Sequence, residues 1–322
     1  MTTYKEINGT NIEAVASDPS NPVEGQVWYN TTTNVVKGFI VSTGSWATGG
    51  NLNTGRRVFT GAGTQTAALT FGGGPDVNGV GNVAITEKYN GTAWTEVNDM
   101  NTARRYLGGT GTQTAALAAG GLGDSGNVAS VELWNGTNWA EVNDLSSVRR
   151  GGAMSGTTTA GLNFGSSNPK TGLTELYNGT NWTELNDLNT PRGYLEGCGT
   201  STAALTFGGD DSPRRQTELW NGTNWTTVNS MINEHKTCAG FGTQTAAIVA
   251  GGPGSTFGAK TESWNGTNWT EIADIGTSRA YVSGCGTNTS GVIFGGFPVN
   301  PPSGVATEEF NAGPATVTFD VS

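Results

Sequence analysis

The chain is nearly devoid of histidine: His235 is the only one in 322 residues. A Ser-His-Asp or Cys-His constellation has nothing else to build on. Cys238 is three residues away on an extended segment, a spacing that makes no triad. Any metal site would have to complete itself with carboxylates alone. Cysteine is scarce too, with Cys198, Cys238 and Cys285 only, so no disulfide framework is expected and the thiols read as small buried residues. Charged residues make up 13% of the chain and the net charge is −10, which disfavours nucleic acid and anionic membrane as partners. No apolar run reaches 18 residues, which excludes a helical membrane span, and no apolar stretch follows the polar start Met1-Thr2-Thr3-Tyr4-Lys5-Glu6 in the manner of a signal peptide. Helical periodicity is missing throughout. Nothing implies a cofactor.

What the chain does contain is a repeat. A tryptophan is followed ten residues later by a basic residue: Trp46 to Arg56, Trp94 to Arg104, Trp139 to Arg149, Trp182 to Arg192, Trp225 to His235 and Trp269 to Arg279. The period is 43 to 48 residues. Between copies runs a fixed order: a G-x-G-T turn, an apolar stretch ending in Gly-Gly, then Glu-x-aromatic-Asn-Gly-Thr. Such a period with glycine and aromatic punctuation indicates a propeller or array. In the second copy, residues 104–111 read as a first strand, 114–119 as a small-residue second strand and 131–134 as an alternating third. Asn135-Gly136 predicts a type I′ hairpin turn leading to a fourth strand over 138–145. No unit can bury its apolar faces alone, so the units must stack.

This order resembles the kelch repeat. The Gly-Gly pair stands at Gly72-Gly73, Gly120-Gly121, Gly208-Gly209, Gly251-Gly252 and Gly295-Gly296, and is degraded to Gly165-Ser166 in the third copy. The third-strand aromatic is Tyr89, Trp134, Tyr177, Trp220, Trp264 and Phe310. The resemblance implies an all-β fold: a six-bladed kelch-like propeller of four-stranded antiparallel blades over residues 46–311. A 1–45 attachment segment with a short β-hairpin precedes it and a 312–322 tail follows. Because Trp46 precedes the first unit and the last unit lacks a Trp-type fourth strand, the segment around Trp46 is expected to close the ring. The competing closure uses the alternating strand at 315–321.

Fold carries little functional information by itself. Glu87, Glu132, Glu175, Glu218, Glu262 and Glu308 recur before the third-strand aromatic, and Glu96, Glu141, Glu184 and Glu271 after the fourth-strand Trp. A glycosidase acid pair should be singular, so a structural role is expected and no enzyme is read. The Trp-Asn-Gly-Thr-Asn-Trp turn resembles the aspartate box of sialidases but lacks its Ser-x-Asp opening. The Tyr and His supply of a copper-radical galactose oxidase is absent as well. The Asn-Gly-Thr triplets match the glycosylation acceptor pattern, but the turn itself accounts for them. The basic series Arg56, Arg104, Arg149, Arg192, His235 and Arg279 should ring one mouth of the channel and could hold an anion or acidic sugar, unless blade glutamates lock it. Arg57, Arg105, Arg150, Arg214 and Arg215 stand outside the regular pattern and are freer to act. Loops from the Gly-Gly position to the third strand differ between copies, carrying Asp76 in the first, Asp210, Asp211, Arg214 and Arg215 in the fourth, and Phe297 in the sixth. One diversified face opposite a monotonous one places partner binding on the former.

Residues 22–33, Pro-x-x-Gly-x-x-Trp-Tyr-Asn-Thr-Thr-Thr, resemble a segment common in fibre and appendage proteins of tailed bacteriophages, and the blades resemble kelch-like virion proteins of marine phages. That resemblance implies a non-enzymatic virion protein whose amino-terminal segment joins other virion proteins. The propeller would then meet a host-surface glycan or protein. A carbohydrate-active or carbohydrate-binding propeller of lectin or sialidase type, and a cellular kelch adaptor, are the alternatives.

Overall fold

The computed structural model describes residues 12–20, 25–75, 81–210, 212, 214–252, 258–298 and 304–319. The chain divides into two units, residues 1–44 with 312–322 and residues 45–311. Among the described residues there is no helix. The larger unit is all-β and propeller-like, built from four-stranded antiparallel sheets that follow one another along the chain.

The second sheet shows the pattern. Its strands are Gly108–Thr112, Ala115–Ala119, Val131–Trp134 and Trp139–Val142, in that order across the sheet. The same order recurs in the sheets beginning at Thr60, Ala153, Leu195 and Ala239. The last copy supplies Ser283–Thr287, Ser290–Phe294 and Thr307–Phe319, and the strand Val35–Thr48 runs beside Thr307–Phe319. Trp46 meets Phe310 with ring centroids 5.1 Å apart, much as Trp94 meets Tyr89 at 4.9 Å. Residues 315–319 belong to the Thr307–Phe319 strand itself, so they extend the third strand instead of adding another.

Two local expectations are corrected. The first strand starts at Gly108, not at Arg104, because Tyr106 takes a left-handed φ of 57° that breaks the extended run. The Asn-Gly turn is also not a two-residue type I′ turn. Trp134 pairs with Trp139, so the loop has four residues, and only Gly136 has positive φ. Asn135 instead accepts hydrogen bonds on its side-chain oxygen from the amides of Thr137 and Asn138, at 3.0 and 2.9 Å.

Successive first strands stand against one another, and Ser283–Thr287 lies against Thr60–Thr64. Glycine makes this approach possible. A Cβ on Gly197 would sit 2.4 Å from Cζ of Phe164 in the preceding sheet, and one on Gly240 would sit 2.5 Å from Phe207. Where the preceding second strand ends in Ala119 instead of Phe, the facing residue is Met154, and the two share one apolar cluster. At that joint side-chain volume is exchanged between neighbouring sheets, as close packing requires. Farther out, the fourth-strand tryptophans bond backwards: Trp139 Nε1 donates to Thr86 Oγ1 and Trp225 Nε1 to Thr174 Oγ1, both at 3.0 Å. Val131 replaces that threonine in the second copy, so Trp182 turns to the carbonyl of Asn143.

In the smaller unit, Glu13–Val15 pairs in parallel with Val27–Asn30, which pairs antiparallel with residues 35–38 across the turn at 31–34. Asp18 organises it by accepting from Trp28 Nε1 and Asn30 Nδ2 and pairing with Lys37 Nζ at 2.7 Å. The hydrogen bonds from Lys37, Asn30 and Trp28 hold the Asp18 carboxyl down at about 2.

The joint between copies has a direct test. Gly197→Ala is expected to cost about 1–3 kcal/mol by overpacking against Phe164. Truncating that ring in Phe164→Leu should recover part of the loss, so denaturant midpoints of the two single variants and the double should be non-additive. Additive losses would mean the two residues do not meet.

Candidate functional site

The repeated basic residues are buried. Arg56, Arg104, Arg149, Arg192, His235 and Arg279 are each at most 2% exposed, so their side chains do not ring the channel mouth as the sequence reading had it. Each faces the third-strand glutamate of its own copy. Arg56 reaches Glu87 and Arg104 reaches Glu132, both at 2.6 Å, and Arg279 reaches Glu308 at 3.0 Å. Arg149 pairs with Glu175, and Arg192 with Glu218. His235 donates through Nδ1 to the carbonyl of Gly251 at 2.9 Å and places Nε2 3.3 Å from Glu262. The carboxylates also take backbone amides of the preceding loop, as Glu132 takes those of Asn101 and Thr102. Burial opposes the charge on Glu262, but the bonds from His235 and the Ile232 and Asn233 amides outweigh it and keep that carboxyl below its ordinary value. Burial lowers Arg149 and Arg279 to about 10, which leaves both charged at neutral pH.

The carbonyls of these same residues face the preceding copy. That of Arg104 accepts from Gly73 N at 2.9 Å and that of Arg149 from Gly121 N at 2.8 Å. The carbonyl of Arg56 accepts from Gly296 N at 3.1 Å. A Cβ on the first glycine of each pair would lie 2.8 Å from such a carbonyl at Gly72 and at Gly120, which is why the Gly-Gly pair recurs.

Two residues after each basic position the chain turns left-handed, at Val58, Tyr106, Gly151, Tyr194, Thr237 and Tyr281, with φ between 53° and 69°. Their backbones form a closed cycle of hydrogen bonds. Tyr106 N donates to Val58 O (2.8 Å), Gly151 N to Tyr106 O (2.8 Å) and Tyr194 N to Gly151 O (2.7 Å). Thr237 N then donates to Tyr194 O (3.1 Å), Tyr281 N to Thr237 O (2.7 Å) and Val58 N to Tyr281 O (3.3 Å). A left-handed non-glycine residue costs on the order of 1–2 kcal/mol. Glycine stands at only one of the six positions, and three are tyrosine. Strain kept where glycine would relieve it points to a use for the side chain.

The cations at this mouth come from the position before the strained one. Arg57 lies over Tyr281 at 5.7 Å and over Phe297 at 5.1 Å, and Lys236 lies over Tyr194 at 5.0 Å. Arg105 and Arg150 both lie over Tyr106, at 5.9 and 5.8 Å, while the Tyr106 and Tyr194 rings meet at 5.3 Å. Arg105 donates to the carbonyl of Gly81, and Nε of Arg150 is buried without a hydrogen-bond partner. Desolvation raises the Tyr106 hydroxyl above its ordinary value. At the two remaining positions, Ala280 is buried and a Cβ on Gly193 would collide with the Ser167 backbone at 2.2 Å. The variable loops are tied to this rim: Arg57 pairs with Gly74, Ala280 with Phe297, and Gly193 N donates to Asp210 Oδ1 at 2.9 Å. Arg214 reaches Glu234 at 3.7 Å, and Arg215 donates to the Ile232 carbonyl. Asp76 and Asp211 lie outside the described residues.

Below the tyrosines is a cavity of about 60 Å³. Glu196 lines it, from a first-strand position that is Thr60, Gly108, Ala153, Ala239 or Ser283 in the other copies. Glu196 is half-buried there, and desolvation pushes its carboxyl up to about 8 against the lowering effect of the Gly197 amide. Cys198 and Cys238 are free, buried thiols raised first by burial and then by Glu196. Among the described residues no group of three or more His, Cys, Asp or Glu is placed to hold a metal ion, and no helix is long and apolar enough to cross a membrane. The repeated Glu96, Glu141, Glu184 and Glu271 are exposed on fourth strands, each the register partner of a buried third-strand glutamate, so the acid pair recurs from copy to copy and none is singular. No protein-family model matches this chain, and no curated protein matches it.

Two outcomes follow from this electrostatics. Arg104→Met should cost about 3–5 kcal/mol by stranding Glu132, while Arg104→Met/Glu132→Leu should cost less, measured by chemical denaturation. The second outcome concerns Glu196, whose raised carboxyl keeps its proton in the folded chain at pH values where the unfolded chain has released it. Its contribution is therefore full below the ordinary carboxylate range and is lost as pH climbs to about 8. Glu196→Gln should melt higher than the parent at pH 9 and level with it near pH 4.5. Parallel melting curves across that range would remove the assignment.

Proposed function

We propose that the chain is a six-bladed kelch-like propeller serving as a non-catalytic binding component of a bacteriophage particle. The amino-terminal segment joins it to other virion proteins, and the channel-mouth face meets the host surface or a neighbouring particle protein. The observation that carries the binding half is the mouth itself. Strained tyrosines and cations without carboxylate partners gather where the loops differ between copies, while the opposite turns repeat nearly unchanged. Those opposite turns have structural work: Gln113 donates to the carbonyls of Ala68 and Tyr89 in the preceding copy, and Gln244 does the same to Ala204 and Trp220. The cycle of mouth hydrogen bonds and the Trp46–Phe310 contact support the six-fold count and closure near Trp46. The virion half rests on the resemblance of residues 22–33 and of the Asn-Gly-Thr blades. A weak shallow site suits a particle, where many copies multiply affinity by avidity.

Replacing residues 74–80, 210–215 and 297–303 by Gly-Ser loops should leave thermal unfolding cooperative. It should abolish either adsorption to the host or incorporation into particles, scored by plating and by immunoblot of purified particles. If both survive, the variable-loop face is not the binding surface.

A further inference from the structure

The mouth has a chemistry narrower than a general binding face. Arg57 and Lys236 carry no carboxylate partner and no acceptor among the described residues, and Arg150 is packed over Tyr106 with its Nε unsatisfied. This local positive charge belongs to a chain of net charge −10, so it is not a by-product of a basic surface. Every backbone group of the hydrogen-bond cycle already has its partner, which leaves no free edge for an extended peptide to pair with. What remains on offer is guanidinium and ammonium donors beside aromatic rings, next to the cavity that Tyr106, Tyr194, Tyr281 and Glu196 line.

Building on the binding role proposed above, we propose that this mouth binds a uronate-type sugar, with its carboxylate between Arg57, Arg150 and Lys236 and its pyranose ring against Tyr106, Tyr194 and Tyr281. Glu196 sits beneath. In its protonated form it donates a hydrogen bond to an entering carboxylate, and in its ionised form it repels one. The other titratable groups around it are Cys198 on its own strand, Cys238 from the following copy and the three tyrosines at the cavity rim. Thr60, Gly108, Ala153 and Ser283 line the bore without charge. Affinity is thereby tied to pH through Glu196, falling as pH rises past its ionisation near 8.

The full chain titrated calorimetrically with trigalacturonate should bind saturably, at least tenfold tighter than it binds neutral galactotriose, and more weakly as salt is raised. Arg57→Gln/Arg150→Gln, with an unchanged melting curve, should lose tenfold or more. Should that variant melt early, Lys236→Gln carries the same expectation. Glu196→Gln should bind with little pH dependence between 6 and 9, where the parent weakens. Absence of trigalacturonate binding, equal binding of galactotriose, undiminished binding by the folded variants, or preference for an oligoglutamate peptide would each overturn the assignment. Particles carrying Arg57→Gln/Arg150→Gln that still adsorb, while the Gly-Ser loop graft does not, would overturn the sugar and leave the binding face standing. Normal adsorption by both would overturn the two together.

Discussion

Each repeat is held at one residue that faces two ways. The side chain of Arg104 is clamped by Glu132 of its own sheet, while its carbonyl takes the amide of Gly73 from the sheet before. The clamp fixes the segment entering the first strand, and the fixed segment presents the carbonyl that registers one sheet against the next. A buried ion pair is a poor source of net stability, because desolvation consumes much of the Coulomb gain. What it supplies here is position. The guanidinium cannot leave Glu132 without stranding a charge, so the carbonyl cannot wander either. Histidine at position 235 preserves the arrangement with a shorter side chain, and its carbonyl still accepts from Gly209.

Fixing that residue has a consequence two positions later. The chain must turn from the clamped residue into a strand that runs along the bore, and it does so through a left-handed residue whose amide and carbonyl complete the cycle at the mouth. Five non-glycine residues accept that conformation. The neighbouring hydrogen bonds and the clamp supply the restraint that overrides the local cost. Because the backbone is set this firmly, the side chains on it, Tyr106, Tyr194 and Tyr281 with their flanking cations, are held in place. For the binding role proposed above, such preorganisation lowers the entropy lost on binding.

The charges sort by burial and not by sequence number. In the stretch Arg104-Arg105-Tyr106 the first guanidinium is enclosed and neutralised, while the second stands half-exposed over an aromatic ring. Alternation along an extended segment sends adjacent side chains to opposite sides. One side of this segment meets the glutamate of its own sheet and the other meets the mouth. The acidic residues that give the chain its net charge include the exposed fourth-strand glutamates, whereas the cations beside Tyr106, Tyr194 and Tyr281 have no carboxylate partner among the described residues.

The sequence by itself determined the repeat, its strand content, the sheet order and the side chains that fill the joints. The Trp, Gly-Gly and Glu positions recur at fixed spacing, and each answers a local steric or hydrogen-bonding demand that any copy must meet. The pairing of the basic residues with the repeated glutamates was legible as one of two readings, since complementary charges recurred in every copy. Only the tertiary structure decided between them, because burial depends on which chains of atoms surround a residue and not on its spacing. The left-handed turn at Tyr106 was hidden for a related reason: tyrosine signals a strand, and the hydrogen bonds that force it out of one come from other repeats. Glu196 falls outside every repeated signature, since no other copy carries an acid at its position. Its place in the bore, and the rise in its carboxyl that follows, arise only when first strands from distant parts of the chain close around it.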